Sequence, residues 1–473
     1  MRDSNDTNIG NSTYNFNFSL VKYNKTDNLP VYIPIGKSAI TYLEINDNLA
    51  NFGYKGAVIF ANYNGILDES GLGGGLNDGT TLFDINITNS DLVNVNNSIT
   101  DISIQTLVQL QQNTDTSVNP IERNSNYTFE EYQVCLLRQK GLSRAASFGS
   151  SPSTNIKNAI INGINKDAIS PNVDDFYVDN DIVINSSGLT SNNTTYYEYI
   201  NKNYNMLWYK DKGPGLLQLN NYIDASNINT IIRKFTLQPL NKIPSQLFIN
   251  VGQSQKNPDL KEYVTEIFTV GNNETTKSYR ENAIEQFQLI RPNFETLLQE
   301  KWIDYTSTEA SNGTDTCINN IKYNDVKAEF EQIFLNNQLA NLPTRQDIEY
   351  GGGFPALFNV SHAMSVNPNN ESPSVYTIKS MLMRSFIFDN TALIFRVTGN
   401  IYRKPGFFIL VNSDIPSDKN NTIAGYWYVI GVKHIFTNNI YTNEIVAVKM
   451  HIKGTTSSFI FDNLLQSRVE TLA

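Results

Sequence analysis

The chain has 473 residues, length enough for about three domains, and 40 % of them are hydrophobic, so sizeable cores are within reach. Its net charge is −10, only 17 % of residues are charged, and 25 Tyr and 25 Phe stand among many Asn, Ser and Thr. This balance excludes a nucleic-acid grip, which needs clustered Lys and Arg: basic residues come at most in pairs, as at Arg403-Lys404. The amide-rich polarity fits either a surface that packs against other subunits or an AT-rich coding sequence, in which Lys also outnumbers Arg. No window is apolar enough for a membrane span. Met1-Arg2-Asp3-Ser4-Asn5 has no apolar h-region, so a protein made and used, or assembled, in a cytoplasm is expected.

The first part of the chain, to about Gln112, is strand-like. Tyr14-Asn15-Phe16-Asn17-Phe18-Ser19-Leu20 alternates with the period of two that a half-buried strand requires. Further strands are predicted at Ala39 to Glu44, Gly56 to Asn62, Leu82 to Ile87 and from Ile102 to Leu110. Gly71-Leu72-Gly73-Gly74-Gly75 lacks the Lys-Ser/Thr and helix that follow a phosphate loop, and reads as a hairpin tip. Gly351-Gly352-Gly353 has the same defect.

Helical signals begin at Thr128. Thr128-Phe129-Glu130-Glu131 has the form of a capping box, predicting a helix with Tyr132, Cys135 and Leu136 on one face and Gly141 at its end. A second helix is predicted over Asn155 to Asn165, with Ile156, Ala159 and Ile160 inward; Thr195-Tyr196-Tyr197-Glu198 opens a third. Met206 to Tyr209, a turn at Asp211 to Gly215, and Leu216 to Leu219 form a hairpin pattern. Strands resume at Ile231 to Pro239, Gln246 to Val251 and Tyr263 to Val270. Helices follow over Glu281 to Leu289 and from Asp325 through Phe330 and Phe334 to Pro343. Ser380 to Phe388 reads as a lead-in strand and Phe461 to Val469 as a docking helix.

Thr391 to Lys453 is a run of consecutive strands. Leu393, Phe395 and Val397 face one way, Arg396 and Thr398 the other. Tyr402-Arg403-Lys404-Pro405-Gly406 is a turn, with Pro405 fixing φ and Gly406 free to take φ > 0. Phe407 to Val411 and Gly425 to Ile435 are strands, Thr437-Asn438-Asn439 turns the chain, and Tyr441 to Lys453 returns with Val446, Val448, Met450 and Ile452 on one face. Short loops between such strands predict antiparallel hairpins closing into a small barrel.

Residues that carry chemistry are sparse. His362, His434 and His451 form no metal-binding pair, and Cys135 and Cys317 are too few and too far apart for a disulfide framework. His434 is expected as a barrel-wall histidine hydrogen-bonded across its hairpin. Glu130-Glu131 and Asp174-Asp175 are neighbours on the chain, placed poorly for paired-carboxylate hydrolysis, and are expected on solvated faces. Tyr196, Tyr197, Tyr199, Trp208 and Tyr209 are expected in core and interface; lining a sugar site is the alternative. No catalytic residue, metal or cofactor is assigned.

The order of parts is more specific. It runs strand, Gly399, Arg403-x-Pro405-Gly406, apolar strand, loop, Gly425-x-x-x-Val429-x-x-Val432-x-His434-x-Phe436, then Tyr441-Thr442. This resembles the second barrel of baseplate hub proteins from contractile phage tails, the late control protein D family. Ile45 to Leu49 and Gly53-Tyr54-Lys55-Gly56 are similar to the opening of that family's first barrel. The resemblance implies a mainly β fold with α+β insertions: two related small antiparallel β-barrels, the second split by helices. Its expected parts are a first barrel over 1–125, an α+β insertion over 126–225, a split second barrel over 226–275 and 376–455, a helical insertion over 276–375, and a tail over 456–473. It implies a non-enzymatic virion protein, assembled in the host cytoplasm. The partners implied are its own copies in a homotrimeric ring, the tail tube, the spike and other baseplate subunits. DNA would cross the lumen unheld, which the mild acidic excess fits. The rival reading is a tail-associated carbohydrate-binding module or hydrolase.

Overall fold

The computed structural model describes residues 6–9, 12–23, 30–62, 81–89, 103–112, 123–139, 141, 152–164, 177–178, 194–205, 208–209, 213–224, 227–239, 264–270, 283–284, 286–290, 392–401, 403–406, 408–413, 425–437 and 440–450. The strands predicted at 246–251 and 380–388, the helices predicted from Asp325 and from Phe461, both glycine-rich runs, Cys317, His362, His451 and the Asp174-Asp175 pair lie outside these residues.

Eight strands come first: β1 (Asp6–Ile9), β2 (Ser12–Tyr23), β3 (Pro30–Ile35), β4 (Ile40–Asn48), β5 (Lys55–Asn62), β6 (Leu82–Asn89), β7 (Ser103–Gln112) and β8 (Arg123–Glu131). They pair antiparallel in the order β3-β2-β6-β7-β8-β5-β4, with β1 beside the start of β2. The alternation predicted for β2 is realised: Tyr14, Phe16, Phe18 and Leu20 are buried. They share one core with Phe60 and Phe83 from β5 and β6, so this group is rolled around its apolar face.

An α+β unit follows. Helices α1 (Tyr132–Gln139), α2 (Pro152–Ile164) and α3 (Tyr196–Asn205) accompany the strands β9 (Tyr177–Val178), β10 (Trp208–Tyr209), β11 (Gly213–Asp224) and β12 (Asn227–Pro239), which form a separate four-stranded sheet. Ile156, Ala159 and Ile160 are fully buried, as their spacing predicts. The predicted capping box of α3 is present in both directions: the Thr195 N–H donates to Glu198 Oε2 at 2.9 Å and the Glu198 N–H to Thr195 Oγ1 at 3.2 Å. Phe52, in the turn after β4, ties the unit to the first group. Its carbonyl accepts from the Leu219 N–H at 2.7 Å and its ring meets Tyr197.

The remaining strands are β13 (Val264–Val270), β14 (Gln286–Ile290), β15 (Ala392–Thr398), β16 (Phe408–Ser413), β17 (Gly425–Thr437) and β18 (Ile440–Met450). They run β13-β16-β17-β18-β15-β14, with β13 and β16 parallel, around a second core that includes Phe268, Phe395, Val411 and Trp427. On β18 the side that enters the cores is Tyr441, Asn443, Ile445 and Ala447. Strand β17 joins the two groups: its first half pairs with β16 and its second half with β4, from Gly431↔Asn48 to Thr437↔Tyr42. The result among the described residues is one fourteen-stranded sheet that does not close on itself. The architecture is mainly β with α+β insertion, as the sequence predicts.

Three local readings are corrected. Thr128 caps no helix; it lies within β8, paired with Ala57 on one side and Gln111 on the other, and α1 starts only at Tyr132. Two ladders outweigh one local hydroxyl bond. The helix predicted over Glu281 to Leu289 is in fact strand β14, because pairing Phe287 with Phe395 and Leu289 with Leu393 extends the sheet. Strand β12, placed from the sequence in the second barrel, pairs along its length with β11 in the small sheet.

Candidate functional site

The motif residues converge where β17 leaves one core for the other. Val429 and Val432 enter the second core; Phe436 and Tyr441 enter the first. Gly425 opens β17 opposite Val411. Between β15 and β16 the described residues 399–401 and 403–406 form a strap that crosses this junction. Ile401 of the strap is buried in the first core, and Pro405 is buried too. Gly406 takes φ +96, as its place after Pro405 predicts, and its N–H donates to the Val429 carbonyl at 2.8 Å. Gly399 lies under the Tyr441 ring, where an added Cβ would come within 2.2 Å of ring carbon.

Arg403 ties the strap down. It is only 6 % exposed. Its Nε donates to Glu266 Oε2 at 3.0 Å and its Nη2 to Glu266 Oε1 at 3.0 Å, the two-pronged geometry a guanidinium offers a carboxylate. Its Nη1 donates to the Thr398 carbonyl and, at 3.1 Å, to Asn443 Oδ1. Phe268 lies beneath the guanidinium with its ring centroid 5.2 Å away. Asn443 is fully buried and bridges. Its Oδ1 also accepts the Asn400 N–H at 2.6 Å, and its Nδ2 points to His434 Nδ1 at 3.1 Å. Tyr441 OH meets the same His434 nitrogen at 2.7 Å. His434 is thus the cross-hairpin histidine that the sequence predicts, directly opposite Asn443 in the ladder.

With two donors converging on Nδ1, the imidazole is neutral and carries its proton on Nε2. Burial, helped by Lys404 and Arg403, pushes its pKa down to about 3. The unfolded chain, with its imidazole near 6.5, takes up this proton first. Stability from His434 is therefore present above about pH 6.5 and is lost as pH falls toward 3, by at most about 5 kcal/mol. Asp84, raised to about 6 by burial, acts in the opposite sense between about pH 4 and 6. The expected result is a urea midpoint that drops from pH 7 to pH 4 by more in the wild type than in His434→Asn, which has no proton to take up.

Glu266 and Asn443 were not singled out from the sequence. The signal was parity: Glu266 shares the face of Phe268 and Val270, and Asn443 that of Tyr441 and Ile445. A polar residue on the core side of an alternating strand marks a buried bond.

The opposite face of the junction is also paired. Lys433 lies between Glu44 at 3.5 Å and Glu444 at 3.1 Å, and Arg396 reaches Glu444 at 3.1 Å. Burial alone would raise the Glu444 carboxyl, but hydrogen bonds from Arg396 and Lys433 outweigh it and hold the pKa below its ordinary value.

Glu130 and Glu131, expected on solvated faces, are buried. Glu130 accepts from Arg138 Nε at 2.9 Å and pairs with Lys55; Glu131 Oε2 accepts from Thr106 Oγ1 at 2.7 Å. They are consecutive on β8 and so point to opposite faces, Glu130 covered by Arg138 and Lys55 and Glu131 packed against Thr106. Cys135 is buried on α1, as predicted, and burial followed by the Glu130 charge pushes its thiol up to about 12. Tyr199 and Tyr209 are packed inside the α+β unit, with no face for a sugar. Among the described residues no three His, Cys, Asp or Glu side chains converge as metal ligands.

Fold and junction together define a mainly β protein with two strand groups sharing one hairpin and an α+β unit inserted after the first. No protein-family model and no curated protein matches the chain. Among solved structures, the 43 kDa tail protein of prophage MuSo2 from Shewanella oneidensis is similar, with 8 % identity, TM-score 0.44, and coverage of 92 % of this chain and 96 % of that one. A tail protein from Neisseria meningitidis has 9 % identity and TM-score 0.42, covering 94 % and 98 %. A chain of the Francisella PdpA–VgrG complex has 11 % identity and TM-score 0.44, covering 92 % of this chain and 52 % of that one.

Proposed function

We propose that this protein is a structural component of a virion tail, the baseplate hub, in which three copies form a ring joining the tail tube to the central spike. The observation that carries this reading is the fate of the ordered motif. Gly399, Arg403, Pro405, Gly406, Val429, Val432, His434, Phe436 and Tyr441 all lie along the junction where two rolled strand groups share one hairpin. Two side-by-side β units per chain are what a threefold ring with sixfold pseudosymmetry requires. In this reading each strand group is one β unit of the ring, the α+β unit lies outside the ring, and the neighbours are the tube, the spike and other baseplate subunits. The role is mechanical, with no catalysis. The net charge of −10 lets DNA cross the lumen without being held.

The test is native mass by light scattering, alone and with the spike or tube protein added. Three copies per particle in either condition is the expected outcome. A monomer in both would refute the ring.

A further inference from the structure

We propose that the strap over residues 399–406 is an acid-released latch: protonation of His434 frees it from β18 while the two strand groups stay folded. The strap leaves the second group at β15 and sends Ile401 into the core of the first. Ile401, the Arg403–Glu266 pair and the Gly406–Val429 bond hold it over the junction. To β18 it is held by the Gly399 N–H on the Tyr441 carbonyl and by Asn443, whose Oδ1 accepts from Asn400 N at 2.6 Å and from Arg403 Nη1 at 3.1 Å.

Those two bonds also fix which way the Asn443 amide points. Its Nδ2 must face His434, and turning it round would leave both strap donors opposite a donor. A proton on His434 Nδ1 would therefore point at one fixed donor and at the Tyr441 hydroxyl. That hydroxyl can rotate to accept it; the amide cannot without letting go of the strap.

Among the described residues no carboxylate bonds the imidazole. The strap faces it with Arg403 and Lys404, both positive. From β18 come Tyr441 and Asn443; from β2, Tyr14, set edge-on to Tyr441; from β4, Ile45 in the paired position. Glu266 of β13 is taken up by Arg403. Glu44, Glu444 and Lys433 form their own set of pairs. The two cores lie on either side of the knot and are separate clusters, the strap giving Ile401 alone to the first.

The experiment is amide hydrogen exchange by mass spectrometry on the full chain between pH 7 and pH 3, corrected for intrinsic rates. Peptides spanning the strap are expected to lose protection about tenfold as pH approaches 3, while β6 and β15 keep theirs. In His434→Asn, whose Oδ1 still accepts where Nδ1 did but takes no proton, the strap should stay protected. Opening of strap and strands together, or acid opening in His434→Asn as in wild type, would overturn the latch. Should that variant not fold, Lys404→Gln decides: removing a facing cation should move the opening up by about half a pH unit, and an unmoved midpoint overturns the proposal.

Discussion

Arg403→Met is expected to cost about 3–5 kcal/mol of stability, seen as a lower urea midpoint with an unchanged slope. The reason is what the guanidinium leaves behind. Glu266, three-quarters buried at the edge of the second core, would lose its two-pronged partner, and the Thr398 carbonyl and Asn443 Oδ1 would each lose a donor. Methionine fills most of the volume, so the loss is electrostatic and not a cavity effect. Arg403→Lys is expected to recover less than half. An ammonium is a point charge and cannot serve Glu266, Thr398 and Asn443 at the angles of a planar fork. Full recovery by lysine would show that charge alone holds the strap.

Tyr441→Ala is expected to cost a similar amount, about 3–5 kcal/mol. The ring is buried, stacked on Phe436 with centroids 4.1 Å apart and edge-on to Tyr14 at 5.3 Å. Its diagnostic feature is coupling to Gly399. In the wild type Gly399→Ala drives a methyl into the ring and should cost about 1–3 kcal/mol. In the Tyr441→Ala background the same change meets open space and should cost only a few tenths of a kcal/mol. A double-mutant cycle by chemical denaturation reads the difference directly. Additive costs would mean that Gly399 is required for its backbone and not for the ring above it.

Both predictions start from positions visible in the sequence, and the motif also held Gly399 and Phe436, but other partners were hidden. The motif marked Arg403 but not Glu266, which lies 137 residues away. It marked His434 and Tyr441, while Asn443, two residues further on, escaped notice. At Thr128 and at Glu281 to Leu289 local helix signals were overruled by strands that pair from elsewhere in the chain. Glu130 and Glu131 look like surface carboxylates until β8 is seen between two neighbours, with Arg138, Lys55 and Thr106 brought to meet them.

What the sequence by itself determined is what short-range physics controls. Period-two alternation placed β2, β6, β15 and β18; the Thr195–Glu198 box placed α3; Pro405 and Gly406 placed the turn. Each depends only on residues a few positions apart. The tertiary structure alone decided that β17 serves two cores, that β12 pairs with β11, and that a buried arginine binds a strap to a distant strand. Those outcomes rest on which strand edges meet and which charges lose water together, and neither is encoded in local spacing.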